Sequence, residues 1–122
     1  MKRLFVLTVL AVAGSPLLAR AAEPINLNAK TAGALADLCA ANPREPGADA
    51  KINYCHGFAQ GAVDVALRQA GEKKPFCFPN PAPRRSQTLS EFVGWVRSMP
   101  EHRSMGAVDG LFRFLGDRFP CK

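Results

Sequence analysis

Four cysteines constrain the fold of this chain more than any other feature of its sequence: Cys39, Cys55, Cys77 and Cys121. No two of them form a Cys-x-x-Cys pair, and His56 and His102 do not lie at zinc-finger spacing, so the pattern does not indicate a metal site. An even number of cysteines in an exported domain is typical of disulfide bonds. We therefore expect two disulfides and no metal or other cofactor.

The first 21 residues have the three parts of an export signal. Lys2 and Arg3 make a basic start, residues 4–13 are apolar, and Ala19-Arg20-Ala21 ends in small residues that suit a signal peptidase. We predict cleavage after Ala21. An uncleaved anchor is the alternative, but the apolar stretch is shorter than the roughly 20 residues that span a membrane. No later segment is apolar enough to span.

The charge of the chain shrinks once the predicted signal is removed. The formal net charge is +6, but Lys2, Arg3 and Arg20 leave with the signal, and the remaining basic residues are scattered. The remainder has the usual size of one domain. We predict a flexible lead over residues 22–30, one domain over residues 31–122, and no binding of nucleic acid.

Apolar residues recur at three- and four-residue steps in four segments, and no segment alternates over strand length. This pattern predicts an all-α fold, a compact bundle of about four helices. Thr31 is placed to cap the first helix. The second helix begins near Asp49 and ends at Gly71. Its aromatic and small residues share one face: Tyr54, Phe58, Gly61 and Val65.

A proline-rich loop over residues 73–86 is predicted to separate the second and third helices. Thr88 and Glu91 then have the spacing of a capping box, and Pro100 closes the third helix. Ser104 is placed to cap the last helix, which ends before Pro120. Gly57 and Gly61, one turn apart on the second helix, would let another helix approach closely.

Helix geometry ranks the three possible pairings of the cysteines. From Cys55 to Ala70 the second helix rises about 22 Å, so the loop that carries Cys77 begins at the end of the helix far from Cys55. Cys39 closes the first helix, and a short turn returns the chain to Cys55, whereas bridged α-carbons lie within about 7 Å. We predict the bonds Cys39–Cys55 and Cys77–Cys121, although the sequence alone does not settle connectivity.

The side chains that most often perform catalysis do not form a recognisable set in this sequence. His56 and His102 are interpreted as surface or capping residues, and Asp64 and Asp109 as local helix or ion-pair residues, because none belongs to an evident acid–base or nucleophile pair. Trp95 is interpreted as a core residue, with a partner anchor as the alternative. We expect a binding protein without catalytic residues and not an enzyme.

Several short motifs follow one another in a characteristic order: Leu38-Cys39, Tyr54-Cys55-His56-Gly57-Phe58, Phe76-Cys77-Phe78-Pro79, Met99-Pro100-Glu101 and Phe119-Pro120-Cys121. Their order resembles the Rap/Tai immunity proteins over residues 31–121. The resemblance implies a small periplasmic helical protein of type VI secretion. Such a protein would bind and inhibit a peptidoglycan amidase effector by occluding its active site. A homodimer is also implied, with the exposed faces of the helices that bear Trp95 or Phe114 as possible surfaces.

Exposed turns are the expected contacts with such an effector, because prominent loops enter concave clefts. The candidates lie in the turn after the third helix and at the end of the proline-rich loop: Pro100, Glu101, His102, Arg103, Ser104, Arg84 and Arg85. A solvated charge pair is the alternative for the last two. The competing function is a periplasmic structural or chaperone-like binding protein without a dedicated toxin.

Overall fold

The computed structural model describes residues 23–122 and is helical throughout its regular parts. The predicted signal over residues 1–21 and its cleavage site lie outside the described residues. The helices are α1 (Ala32–Cys39), α2 (Ala48–Ala70), α3 (Arg85–Ser98), α4 (Pro100–Ser104) and α5 (Ala107–Arg118). Residues 23–122 contain no strand, only one isolated antiparallel bridge between Thr31 and Gly106. The all-α prediction is confirmed.

The first helix forms at the centre of the domain, and its start is the one predicted. The Thr31 hydroxyl accepts a hydrogen bond from the Ala34 amide at 3.1 Å, which satisfies one of the free amides at the helix start. Leu35 and Ala36 are fully buried. Helix α1 packs against every other helix of the domain, so its short alanine-rich surface lets the neighbours approach closely.

The second helix is long and only partly packed. Gly47 and Gly71 flank it with φ angles of +79° and +58°, a region that favours glycine. Its buried side is formed by Cys55 and Ala59, about 100° round the helix from the face predicted from the apolar pattern. Val65, on the predicted face, is 53% exposed. The face shared by Tyr54, Phe58, Gly61 and Val65 is therefore not the fully buried one, although Tyr54 and Phe58 pack partly against the core.

The glycines of α2 do not serve the purpose predicted for them. A β-carbon on Gly57 or Gly61 would have no heavy atom of the described residues within 4 Å outside the helix itself. No other helix approaches them within residues 23–122, so the predicted close contact is wrong for the single chain.

The third helix begins earlier than predicted. Arg84 is its N-cap residue and makes no side-chain capping bond. Thr88 lies inside the first turn and donates its hydroxyl proton to the Arg84 carbonyl at 3.3 Å. Glu91 pairs instead with Arg118 of α5 at 2.7 Å. The predicted capping box is therefore wrong, and the loop ends at Arg84 and not at Ser86.

The turn predicted between the last two long helices is itself a short helix, α4. Pro100 occupies its first turn, where a missing amide proton costs nothing. Ser104 belongs to α4, and the cap of α5 is Gly106, so the predicted role of Ser104 is wrong. The prediction of about four helices holds for the longer ones, with α4 as an addition.

The core lies between α1, α3 and α5, with one residue from the proline-rich segment. Its largest fully buried side chains include Leu35, Phe76, Phe92, Leu111 and Leu115. Phe76 enters from outside the helices, and its ring centroid lies 5.6 Å from that of Phe112. The core therefore depends on how the proline-rich segment is held.

Both predicted disulfides are confirmed. Cys39–Cys55 joins the end of α1 to α2, with α-carbons 5.1 Å apart. Cys77–Cys121 joins the proline-rich segment to the residues after α5, with α-carbons 4.9 Å apart. The Cys77 amide also donates to the Phe119 carbonyl at 2.8 Å. The second bridge thus holds the segment that places Phe76 in the core.

Candidate functional site

An exposed corner is formed where α3 ends and α4 begins. We call residues 98–104 the α3–α4 corner. Met99 has extended backbone angles (φ −143°, ψ 132°), which end α3 at Ser98 and redirect the chain into α4. The following proline restricts Met99 to this extended region. The Met99 side chain is 46% exposed, so the bend carries a large apolar group into solvent.

A stack of two rings fixes the corner. The imidazole of His102 lies parallel to the Trp95 indole, with ring centroids 3.7 Å apart and an angle of 9° between the planes. His102 Nδ1 lies 2.8 Å from the Trp95 carbonyl oxygen. At 8% exposure His102 is a buried residue. His102 is therefore not a surface residue, but its contact with a carbonyl in the last turn of α3 agrees with the capping interpretation. Its role as a partner contact stays a prediction.

The stack continues into the core. The Trp95 ring packs against those of Phe92 and Phe114, with centroids 6.4 and 6.0 Å apart. Its interpretation as a core-packing residue is confirmed. Phe114 is only 4% exposed, so its own side chain belongs to the core, and a dimer surface on the exposed faces of α3 or α5 stays a prediction. The aromatic chain ties the corner to the interior.

A second set of contacts fixes the corner from α1. Both terminal nitrogens of Arg103 donate to the Asp37 carboxylate, at 3.3 and 2.8 Å. The hydrogen bond to Asp37 is the main cause that raises the pKa of Arg103. Just beyond, the Ala32 amide donates to the Met105 carbonyl at 2.8 Å. Helix α4 is therefore held on two sides.

The rest of the corner faces solvent. Pro100, Glu101 and Ser104 are exposed, and the Ser104 hydroxyl donates to the Glu101 carbonyl at 3.0 Å. Together with Met99 they form a small projection with one apolar and one acidic side chain. Because its base is buried, the projection keeps its shape at little further entropic cost on binding.

The two predicted arginines lie elsewhere. Arg84 and Arg85 are exposed at the start of α3, whereas the corner is at its end. A helix rises 1.5 Å per residue, so Arg85 and Met99 are roughly 21 Å apart along the axis. The structure therefore separates the predicted contact residues into two places.

Comparison with known proteins places the chain in a family. The family model described as "Rap1a immunity proteins" matches residues 31–121. The chain belongs to the Rap1a immunity protein family. A search of curated proteins and a search of solved structures found no match. Membership indicates an immunity protein that acts as an inhibitor by binding a cognate effector, and the resemblance predicted from the motifs is confirmed.

Three further features of this Rap1a family member concern metal ligands, cysteines and membrane-spanning helices. Within residues 23–122, no three His, Cys, Asp or Glu side chains are grouped so that they could hold a metal ion. All four cysteines are in disulfides. Of the helices in that same range, none combines the length and the apolar character needed to cross a membrane.

Sequence reasoning missed one residue of the corner, Met99, and one contact, the Trp95–His102 stack, in this Rap1a family member. The proline after Met99 predicts the end of α3, but nothing in the motif Met99-Pro100-Glu101 predicts that the Met99 side chain is exposed. The Trp95–His102 stack is also hard to predict from the sequence. Residues seven apart lie on the same face of a continuous helix, but α3 ends at Ser98, so this rule does not apply to Trp95 and His102.

Proposed function

We propose that this chain is a periplasmic immunity protein that binds and inhibits a peptidoglycan amidase effector of type VI secretion. The α3–α4 corner enters the active-site cleft of the amidase and excludes the peptide stem of the substrate. The chain itself performs no chemistry. The observation that carries the proposal is the exposed projection at Met99–Glu101, held by the His102–Trp95 stack, in a Rap1a family member.

The shape of the corner supports occlusion. Binding sites are concave, and a rigid convex segment fills one without a large loss of conformational entropy. Met99 supplies an apolar side chain that can be fully desolvated in the cleft, which is the usual character of an energetic anchor. Glu101 supplies a carboxylate beside it. Ser104 and Pro100 form the sides of the projection.

The two disulfides support a location in the periplasm. Bonds such as Cys39–Cys55 form and persist in oxidising compartments and are rare in the cytosol. The proposed location also agrees with the predicted export signal over residues 1–21. It places the protein where cell-wall amidases act. A homodimer stays a prediction.

Co-expression in a bacterial periplasm tests the proposed function. A candidate amidase, sought among the genes that neighbour the gene for this chain, is exported alone, with the oxidised wild-type protein, or with a variant. We expect lysis by the amidase alone and survival with the wild-type protein. Continued lysis despite abundant, disulfide-bonded protein would overturn the proposal.

A pair of matched variants tests the role of the corner. Met99→Glu adds a charge to a side chain that is 46% exposed, and Val65→Glu adds the same charge to one that is 53% exposed on α2. We expect Met99→Glu to weaken binding to the amidase by about 100-fold, as for an anchor residue, and Val65→Glu to leave it unchanged. Equal affinities for the two variants would place the contact elsewhere.

A further inference from the structure

A cavity opens on the side of the domain away from the α3–α4 corner. Its volume is about 280 Å³. Its floor and walls are apolar and come from α2, α3, α5 and the proline-rich segment: Ala59, Val63, Pro83, Leu89, Leu111 and Leu115. Leu111 and Leu115 are only 1% and 2% exposed. The cavity therefore reaches the side chains of the core.

The cavity exists because α2 does not close onto the bundle along its whole length. Beyond Ala59 the helix has no fully buried residue, and the proline-rich segment fills only part of the gap. Phe78 of that segment, 36% exposed, stands at the rim. The space is open to solvent and reaches side chains of the core, so a small apolar group can enter it from the surface. That access is the first argument for an occupant.

The polar groups at the rim of the cavity include one positive charge. The Thr88 hydroxyl is used in a bond to the Arg84 carbonyl, and the Gln60 amide donates to Asp64 at 2.7 Å. Arg85 also lines the cavity. It forms no ion pair with a carboxylate within residues 23–122. The rim thus offers, beside an apolar interior, a guanidinium that pairs with no carboxylate of the described residues.

We propose that this cavity binds a small single-chain amphiphile with a carboxylate head. The aliphatic chain lies on Leu111 and Leu115, and the carboxylate meets the Arg85 guanidinium, a pairing in which planar donors match two oxygens. A methylene group occupies somewhat less than the roughly 30 Å³ of a water molecule. The cavity therefore holds a chain of about eight carbons, at the small end of ligand sites.

The test uses three ligands that share one chain and differ only in the head: octanoate, octan-1-ol and octylammonium. Each is titrated into the oxidised, ¹⁵N-labelled mature protein, and amide chemical shifts are followed by NMR. We expect octanoate to shift the amides of Ala59, Val63, Leu89 and Leu111, with a dissociation constant on the order of 1 mM or lower for so small a ligand. Octan-1-ol should bind several-fold more weakly, and octylammonium more weakly still.

Two pairs of variants locate the site. Val63→Phe fills the cavity wall, whereas Val65→Phe adds the same ring to the exposed face of α2. We expect Val63→Phe to abolish binding of octanoate and Val65→Phe to leave it unchanged. Arg85→Gln should lower the ratio of affinities for octanoate and octan-1-ol by about three- to tenfold. Arg84→Gln, at the neighbouring residue outside the cavity, should not.

Several results would overturn the proposal. Octanoate is raised to 10-fold the expected dissociation constant, on the order of 10 mM. If the chemical shifts of the cavity amides do not change at that concentration, no aliphatic chain enters the cavity. Equal affinity for the three ligands would remove the carboxylate from the assignment. Tighter binding of the peptide acetyl-Glu-Leu-Glu-amide at the same amides would assign the cavity to a protein side chain. None of these results bears on protection against the amidase, which involves the α3–α4 corner.

Discussion

Two sides of the domain are built in different ways. On the closed side, α1 meets α4 and α5 so tightly that a β-carbon on Gly110 would lie 2.6 Å from the β-carbon of Ala32. On the open side, the second half of α2 and the proline-rich segment leave a cavity of about 280 Å³. Close packing fixes the first side, while a disulfide and prolines fix the second. The proposed amidase contact lies on the closed side, where shape is most strictly held.

The largest effect should come from removing the covalent support of the open side. Cys77→Ala with Cys121→Ala opens a loop with a sequence separation of 44, and loop entropy predicts a loss of about 4 kcal/mol of unfolding free energy. Urea unfolding measures it. Hydrogen exchange should accelerate mainly at residues 73–84, since little packing replaces the bond there. Uniform acceleration across all helices would mean that the two sides unfold as one unit.

Cys39→Ala with Cys55→Ala is the matched control for that pair. Its sequence separation is 16, and the same treatment predicts a loss of about 3 kcal/mol. Cys55 is fully buried, so its removal also leaves a small void. If this control lowers stability more than removal of Cys77–Cys121, burial and not loop length decides the contribution of a disulfide here.

The next effect tests the packing of the closed side. Gly110→Ala places a methyl group against Ala32, and relief of the clash requires α1 and α5 to separate. We expect a loss of about 2 kcal/mol, seen as a lower midpoint of urea unfolding. Protection against the amidase should fall as well, because α1 holds Arg103 of the corner through Asp37. A neutral Gly110→Ala would show that the closed side is looser than its distances indicate.

A glycine-to-alanine substitution on the open side should have the opposite effect on stability. Gly61 is in the interior of α2, with no heavy atom of the described residues within 4 Å of an added β-carbon outside the helix. Gly61→Ala should therefore raise stability by about 1 kcal/mol, the difference in helix propensity. Thermal unfolding at two protein concentrations measures it. A loss that appears only at the higher concentration would reveal a second copy packed on this face.

The smallest effect concerns an ion pair at the surface. The hydrogen bond from Arg118 is the main cause that lowers the pKa of Glu91 below its ordinary value of 4.5. Since the folded pKa is the lower one, the pair adds stability above the unfolded pKa and loses it as the pH falls through the folded pKa. Glu91→Gln should flatten the decline of the urea midpoint between pH 5 and about 3. An unchanged decline would mean that the pair is fully screened.

The sequence predicted those parts of the fold that local rules decide. Thr31 caps α1 because its hydroxyl reaches an amide three residues on. The disulfides followed from the rise of a helix, which separates Cys55 from Cys77. Both arguments need only distances along one element. The resemblance to immunity proteins came from the order of motifs and was equally independent of packing.

Other parts could not be predicted because contacts between elements decide them. Thr88 and Glu91 have the spacing of a cap, but α3 extends one turn further, and Glu91 turns to Arg118 of α5. The fully buried face of α2 carries Cys55, which a disulfide joins to α1, whereas the apolar stripe through Tyr54 is only partly buried. At the corner, Pro100 predicts where α3 ends, but no local pattern predicts the direction in which α4 leaves, and the stack of His102 on Trp95 depends on that direction.

The bridge between Thr31 and Gly106 has a consequence for when the binding surface comes into being. It joins the first helix of the domain to the linker before the last one, so the corner has its final position only after nearly the whole chain has been made and brought together. Contacts so distant in sequence carry a loop-closure cost that slows folding. The surface proposed to recognise the amidase therefore forms only in the completely folded domain, and a fragment or a partly folded chain lacks it.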